Sequence, residues 1–176
     1  MAIVDAARPL LLVDVDGVIS LFGFEPHAMP PGAWTIVDGT PHLLSATAGE
    51  HLRRLAASFD LVWCTGWEEK ANEYLPHALQ LAGPLPHLCF AGSPETSRTH
   101  WKLDAIDEHA GADRALAWID DAFNDACHQW AVARPGPTLL VPTEPHVGLT
   151  PEQVETLERW ARAQADRATV VHKSSP

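Results

Sequence analysis

The sequence predicts a protein of the α/β class, in which a parallel sheet of about five strands carries helices on both faces. Short apolar runs alternate with longer amphipathic segments, which is the pattern of strand–helix–strand units. The first run, Leu10–Val13, is apolar at every position, as expected for a strand that is buried on both sides. Acidic or hydroxyl residues follow several of these runs, at the edge where such sheets bind ligands.

Length and charge restrict the classes of function. A chain of 176 residues is long enough to bury a sizeable core, and we expect a single domain over residues 1–176. The formal net charge of −11 argues against strong unaided binding of nucleic acid, because Lys and Arg supply most of the affinity for phosphate backbones. This net charge is compatible with one local basic pocket that binds a phosphorylated end.

The sequence shows no signal for export or membrane insertion. No apolar run approaches the roughly 18 residues of a membrane span, and no basic and apolar leader opens the chain. The cysteines have no metal-ligand spacing, and Cys64 and Cys89 lie in apolar runs, where we expect reduced core residues. These features predict a cytoplasmic protein without a membrane partner.

The region after the first strand is predicted to be irregular. Residues 21–41 are rich in Gly and Pro, and we expect a flap-like loop there. A short hairpin over 34–37 would turn at Asp38-Gly39. The region is too short to form an independent domain.

A helix and a second strand follow. Thr47 and Glu50 have the spacing of a capping box and predict a helix start. The apolar residues of this helix recur at helical spacing: Leu52, Leu55, Ala56 and Phe59. Residues 61–64 then predict a second buried strand, which ends at Thr65-Gly66.

The middle of the chain is predicted from shorter signals. We expect a helix from about Trp67 that Pro76 interrupts, because proline lacks the amide donor that a helix interior needs. Residues 88–90 predict a short third strand. Thr99 is a candidate cap for a helix that carries Lys102.

The last third of the chain repeats the alternation. Its predicted elements are a strand over 115–119, a helix over 122–130 and a strand over 138–141. Asp120 and Asp121 directly follow the first of these strands. Thr150 and Gln153 predict a capping box at the start of the last helix. Apolar periodicity ends near residue 167, and we expect a frayed tail over 168–176.

Polar side chains follow three of the predicted strands at the point where each strand ends. They are Asp14 and Asp16 after the first strand, Thr65 after the second, and Asp120 and Asp121 after the fourth. The carboxyl ends of parallel strands meet at one edge of a sheet, so we expect these side chains to gather there. Carboxylates at short distance repel unless a cation or a shared proton compensates, and such oxygen ligands suit Mg²⁺. Solvated aspartates in loops are the alternative.

The order of these elements resembles the haloacid dehalogenase (HAD) superfamily over about residues 10–140. The resemblance rests on four features, which are the DxDGV motif at 14–18, Thr65 after a strand, Lys102 at a helix start, and Asp120-Asp121 after a strand. DxDGV is fairly specific, whereas the Thr and Lys features are informative only within the ordered set.

A narrower resemblance concerns the second strand. The run WCTGW at 63–67, with Ala71 and Asn72 after it, is similar to the HAD domains of Swiss Army Knife RNA repair proteins. The superfamily resemblance implies a three-layer, Rossmann-like sheet. It also implies the absence of a large cap, because the gaps at 21–40 and 91–100 are short.

The resemblance implies catalytic roles for four residues. Asp14 would be the nucleophile that forms an aspartyl-phosphate, and Asp16 the general acid for the leaving oxygen and then the base for water. Thr65 would hydrogen-bond a phosphoryl oxygen, and Lys102 would neutralise the transferred group. The alternatives are a helix cap for Thr65 and a solvated helix lysine for Lys102.

The resemblance also implies a Mg²⁺ site. Asp14 and Asp120 would bind the ion directly, and Asp16 through its backbone carbonyl. Asp121 would bind directly or through water. Asp125 is a further candidate, with a solvated acid in the first turn of a helix as the alternative.

The function expected from these features is that of a Mg²⁺-dependent phosphomonoester hydrolase. It would act through an aspartyl-phosphate on a phosphorylated small molecule or macromolecular end, with a nucleotide or a nucleic-acid end among the candidates. A non-catalytic HAD-like binding or regulatory domain is the alternative. Trp34, Trp67 and Trp101 flank the predicted site, where packing is favoured over stacking on a substrate.

Overall fold

The computed structural model describes residues 8–90 and 100–173, with side chains described as far as residue 167. The strands and helices are, in chain order, β1 (Leu10–Val13), β2 (Ser20–Leu21), β3 (Gly32–Val37), β4 (Thr40–Ser45), α1 (Ala48–Leu55), β5 (Asp60–Trp63), α2 (Lys70–Ala78), α3 (Leu103–Ala110), β6 (Leu116–Asp120), α4 (Asp125–Ala133), β7 (Thr138–Pro142) and α5 (Pro151–Lys173). The strands divide between two sheets.

Four parallel strands form the central sheet, in the order β5–β1–β6–β7. β1 lies between β5 and β6, and its Val13 is in register with Trp63 and Ile119 of those neighbours. All three strands run in the same direction, so the residues that follow them lie at one edge of the sheet. The predicted parallel α/β architecture is confirmed.

Alternate residues of β1 face opposite layers of helices. Leu11 and Val13 pack in a core built with α1, α2 and α5, whereas Leu10 and Leu12 pack in a second core built with α3 and α4. Because successive strand residues point to opposite faces, a fully apolar strand serves both cores. None of the helices in the described part of the chain is long and apolar enough to cross a membrane.

A second, antiparallel sheet occupies the region that was predicted to be a loop. We call it the flap sheet; it consists of β2, β4 and β3 in that order. The predicted hairpin is confirmed, because β3 and β4 are joined at Asp38-Gly39, whose φ angles are 48° and 81° as a tight turn requires. β3 is an edge strand, and its apolar residues Trp34 and Ile36 are exposed. The sequence of this strand therefore lacks the alternation of buried apolar and exposed polar residues that identifies a half-buried strand.

The turn of this hairpin is attached to α2. Asp38 accepts hydrogen bonds from the ammonium group of Lys70 and from the hydroxyl of Tyr74, the latter at 3.1 Å. These contacts are exposed, so solvent screens them and they contribute little to stability. They nevertheless join the tip of the flap sheet to the helix that follows β5.

Three local predictions are wrong. The strand expected over 88–90 is replaced by an isolated bridge between His87 and Trp63 at the side of β5. Pro76 lies inside α2 rather than at a break, because it occupies the last turn, where only one helical hydrogen bond is lost. Cys89 is exposed, since it follows the bridge instead of lying in a buried strand.

The predicted helix ends are confirmed to different degrees. At α5, Thr150 and Gln153 form the reciprocal capping box, with N–O distances of 2.9 and 3.3 Å. At α1, Thr47 occupies the cap position but its side chain makes no cap hydrogen bond. α2 begins later than Trp67, because residues 66–69 form turns. The backbone of α5 continues to Lys173, beyond the end of the apolar periodicity, and Thr99 lies outside the described residues.

The buried face of α1 should control stability. Leu52 is fully buried, so Leu52→Ala is expected to lower the free energy of unfolding by about 2–5 kcal/mol through lost apolar burial and a residual cavity. Val132 on α4 is 88% exposed, and Val132→Ala should change stability by less than about 0.5 kcal/mol. Denaturant unfolding measures both values. Equal effects of the two substitutions would contradict the assignment of this helix face.

Candidate active site

Three carboxylates meet at the carboxyl edge of the central sheet. Asp14 follows β1, Asp120 ends β6 and Asp121 comes next, and each contributes an oxygen to a cluster whose members lie within 4.8 Å of one another. Asp14 and Asp120 are buried, whereas Asp121 is partly exposed. The pairing of β1 with β6 creates this meeting, and the Asp14 amide continues it by donating to the Ile119 carbonyl at 3.1 Å.

A buried ammonium group lies between two of these acids. Lys102, at the N-cap of α3, places Nζ 3.1 Å from Asp14 Oδ1 and 2.6 Å from Asp120 Oδ2. Only 2% of the residue is exposed, which rules out a solvated lysine. The same Nζ lies 5.2 Å from the ring centroid of Trp101, within the range of a cation–π contact.

The carboxylate of Asp120 is fixed by three donors. Oδ2 accepts from Lys102 and from the indole N–H of Trp118 at 3.1 Å, and Oδ1 accepts from the Ala122 amide at 3.0 Å. A carboxylate has about four lone-pair sites, two on each oxygen. Oδ2 is therefore fully used by these contacts, whereas Oδ1 retains one lone-pair site.

The backbone around the cluster is closely packed. Gly17 has a φ of 74°, and a Cβ at this position would lie 2.4 Å from the carboxyl carbon of Asp121. Only glycine allows this approach without strain. Thr143 connects the same loop to β6, because its hydroxyl donates to the Gly17 carbonyl at 2.8 Å and its amide donates to the Asp120 carbonyl at 3.1 Å.

The side chain of Asp16 lies beside the acid cluster and is not part of it. Its Oδ2 accepts a hydrogen bond from the indole N–H of Trp67 at 2.9 Å, and its Oδ1 lies 3.8 Å from Nδ1 of His42. Half of this side chain is exposed. Metal binding by the Asp16 backbone carbonyl stays a prediction, since the geometry of the cluster concerns side-chain oxygens only.

Thr65 is buried at the end of β5. Its hydroxyl oxygen accepts from the Trp67 amide at 3.3 Å, and its carbonyl accepts from the Glu68 amide at 3.0 Å. Because α2 begins only at Lys70, Thr65 starts a turn and does not cap that helix. The register of β5 on β1 places Thr65 level with the residue after Asp14.

Burial and charge shift the proton affinities in the cluster. Burial raises the pKa of Asp14 to about 7, with Lys102 opposing the rise and Asp120 adding to it. Burial lowers the pKa of Lys102, but the charges of Asp14, Cys64 and Asp120 outweigh this effect and raise it overall. Burial, and then the charge of Asp120, raises the pKa of Asp121. Three acids thus face one ammonium group, and the excess negative charge favours a bound cation.

Several contacts at the site were not predicted from the sequence. Trp118 and Thr143 hold Asp120, while Trp67 and His42 face Asp16. Trp67 carried a signal, because it was predicted to flank the site, but His42 carried none. Asp125, the further metal candidate, is exposed at the start of α4 and is not in the cluster.

The chain was compared with known protein families. Residues 10–154 match the family described as the HAD domain in Swiss Army Knife RNA repair proteins. The match covers well over half of the 176 residues and includes every element that contributes to the acid cluster. A comparison with curated proteins found no match.

The raised pKa of Asp14 predicts a pH-dependent stability in the absence of divalent cations. Between about pH 4 and pH 7 the folded state binds this proton more tightly than the unfolded state, so the contribution of Asp14 to stability decreases as pH rises. When the pH is raised from about 5 to about 8, we expect the free energy of unfolding to decrease less for Asp14→Asn than for the wild type. Denaturant unfolding in chelator at both pH values measures the difference.

Other groups titrate in the same range, so the comparison uses a matched variant. Burial lowers the pKa of His51 and of His100, which makes stability rise with pH near their unfolded values in both proteins. Asp113→Asn, at an exposed acid, should follow the wild-type pH curve. If the free energy of unfolding depends on pH in the same way for Asp14→Asn and for the wild type, the raised pKa of Asp14 is contradicted.

Proposed function

Because the chain belongs to the haloacid dehalogenase superfamily, within the HAD domains of Swiss Army Knife RNA repair proteins, we propose that it hydrolyses phosphoric monoesters. Family membership supports hydrolase-type chemistry. The observation that carries the finer proposal is the buried contact of Lys102 with both Asp14 and Asp120, beside a third acid. This arrangement provides a nucleophile, a positive charge and a set of oxygen ligands at one point.

The donor set fits a magnesium ion. Asp14, Asp120 and Asp121 are hard oxygen ligands, and Asp120 Oδ1 retains a free lone-pair site. Lys102 compensates only part of their charge. A bound Mg²⁺ would supply the remaining positive charge, which lets a carboxylate and an anionic phosphate approach each other.

In the first step, Asp14 attacks phosphorus. A bond forms between its carboxylate oxygen and phosphorus, while the bond from phosphorus to the ester oxygen breaks. Lys102 stabilises the charge on the nucleophile and on the phosphoryl oxygens. The Thr65 hydroxyl, at the end of the neighbouring strand, is suited to donate to a phosphoryl oxygen.

Asp16 acts first as the general acid and then as the general base. It donates a proton to the leaving oxygen in the first step and is left as a carboxylate. That carboxylate then accepts a proton from the water that attacks the aspartyl-phosphate, so inorganic phosphate is released and Asp14 is regenerated. General acid–base catalysis of this kind contributes roughly 10²–10⁴-fold to the rate.

We place the substrate among phosphorylated nucleic-acid ends, with nucleotides as the smaller alternative. The family description names RNA repair, and between β1 and β5 the described chain contains the flap sheet and α1, without a cap domain. The half-exposed Asp16 leaves room for a large leaving group. The net charge of −11 favours contact with the phosphorylated end of a nucleic acid over contact with a long stretch of its phosphate backbone.

The location in the cell and the partners belong to the same proposal. All three cysteines are free thiols, which agrees with a cytoplasmic protein. The phosphorylated substrate is the partner that the site chemistry supports.

Asp14→Asn tests the proposed reaction. With Mg²⁺ present, the wild type is expected to hydrolyse 4-nitrophenyl phosphate, and the variant to lose roughly a thousandfold or more of kcat/KM, because an amide is not a nucleophile here. Chelation of divalent cations should abolish the wild-type activity. Release of 4-nitrophenol and of inorganic phosphate measures both effects.

Asp113→Asn, which removes an exposed acid, is the matched control and should retain activity. Equal rates for wild type and Asp14→Asn would refute the nucleophile. No turnover by the wild type on any phosphate ester, together with no Mg²⁺-induced rise in unfolding temperature, would instead favour the non-catalytic binding domain.

A substrate panel tests the proposed substrate class. We expect higher kcat/KM for short oligonucleotides with a 3′- or 5′-phosphate than for mononucleotides or sugar phosphates, because the described chain has no cap that would enclose a small substrate. Phosphate release from each compound at equal concentration measures the preference. A clear preference for mononucleotides or sugar phosphates would contradict the assignment.

A further inference from the structure

Two side chains that the proposed reaction does not otherwise use lie beside the carboxylate of Asp16, and one of them forms a hydrogen bond with it. Trp67 donates its indole N–H to Asp16 Oδ2 at 2.9 Å, and Nδ1 of His42 lies 3.8 Å from Oδ1. Trp67 comes from the turn after β5, and His42 comes from β4 of the flap sheet. Three separate parts of the chain therefore meet at one half-exposed carboxylate.

His42 is fixed in turn by its surroundings. Its Nδ1 forms a hydrogen bond with Ser20 Oγ at 2.9 Å, and its ring meets the Trp67 ring edge to face, with 4.7 Å between centroids. Ser20 is paired with Leu44 in the flap sheet, so strand pairing sets the position of the imidazole. An edge-to-face contact of this kind restricts rotation of the indole.

The hydrogen bond from the indole distinguishes the two oxygens of Asp16. An indole N–H only donates, so Oδ2 must accept. A carboxyl group that donates a proton accepts best through its other oxygen, so in the proposed reaction the donating oxygen of Asp16 would be Oδ1. Among the described residues, Oδ1 has no hydrogen-bond partner within normal length, since His42 Nδ1 is 3.8 Å away. This oxygen is free to face a leaving group.

We infer that Trp67 and His42 are positioning residues for Asp16, an inference that rests on the proposed function. Trp67 orients the carboxyl group so that the Oδ1 proton passes to the leaving oxygen as the phosphorus–oxygen bond breaks. His42 holds the indole in the plane that makes this hydrogen bond. Neither residue needs to touch the substrate.

Trp67→Phe tests the inference, because it keeps the aromatic ring and removes only the N–H donor. General acid help matters most for a poor leaving group, so phenyl phosphate is compared with 4-nitrophenyl phosphate. We expect kcat/KM for phenyl phosphate to fall about tenfold and that for 4-nitrophenyl phosphate to fall less than about twofold. His42→Ala should show the same selectivity with a smaller factor, about threefold.

Trp34→Phe is the matched control, since Trp34 is exposed on β3, and it should change neither rate. An equal loss on both substrates, or no loss on either, would overturn the inference while leaving the proposed function intact. Absence of wild-type hydrolysis of both substrates would overturn the proposed function as well. Should Trp67→Phe fail to fold in a denaturation assay, the selectivity of His42→Ala decides.

Discussion

The buried ammonium group of Lys102 is the contact on which the rest of the site depends. It joins the first residue after β1 to the last residue of β6 from the start of α3. Without it, Asp14 and Asp120 would be close, buried and uncompensated, a situation that costs on the order of 3–5 kcal/mol. Even with it the cluster stays short of positive charge. Burial raises the pKa of Asp14, with the charge of Asp120 adding to the rise and that of Lys102 opposing it, and the remaining excess of negative charge favours a bound divalent cation.

The strand order of the central sheet brings the other site residues close to this contact. Because β1 lies between β5 and β6, the residues after β1 have neighbours on both sides, with Thr65 on one and Asp120 on the other. Parallel pairing puts all of them at the carboxyl edge. Asp121 completes the cluster by lying close to Gly17. Any residue with a Cβ in place of Gly17 would collide with the Asp121 carboxyl group. The positions of the acids are thus consequences of topology, while their charge state is a consequence of burial.

Much of this could be predicted from the sequence, and the failures have physical reasons. Fully apolar runs such as Leu10–Val13 identify central strands because burial on both faces tolerates nothing else. The run at 88–90 was misleading because three apolar residues are too few to distinguish a strand from a single bridge. The contact of Trp67 with Asp16 spans 51 positions and has no local pattern. Strand pairing within the flap sheet likewise brings in His42 without any signal in the sequence.

The two halves of the site differ in origin and exposure, and this difference determines how a substrate can approach. The nucleophile and the oxygen ligands come from the central sheet and are mostly buried, whereas Asp16 is half exposed between the flap sheet and the turn after β5. In the proposed reaction phosphorus must meet Asp14, and the leaving oxygen must meet Asp16. The phosphoryl group therefore points inward and the leaving group points toward solvent. The protein core then limits the size of the phosphoryl group alone, so a macromolecular leaving group is compatible with a site this deeply buried.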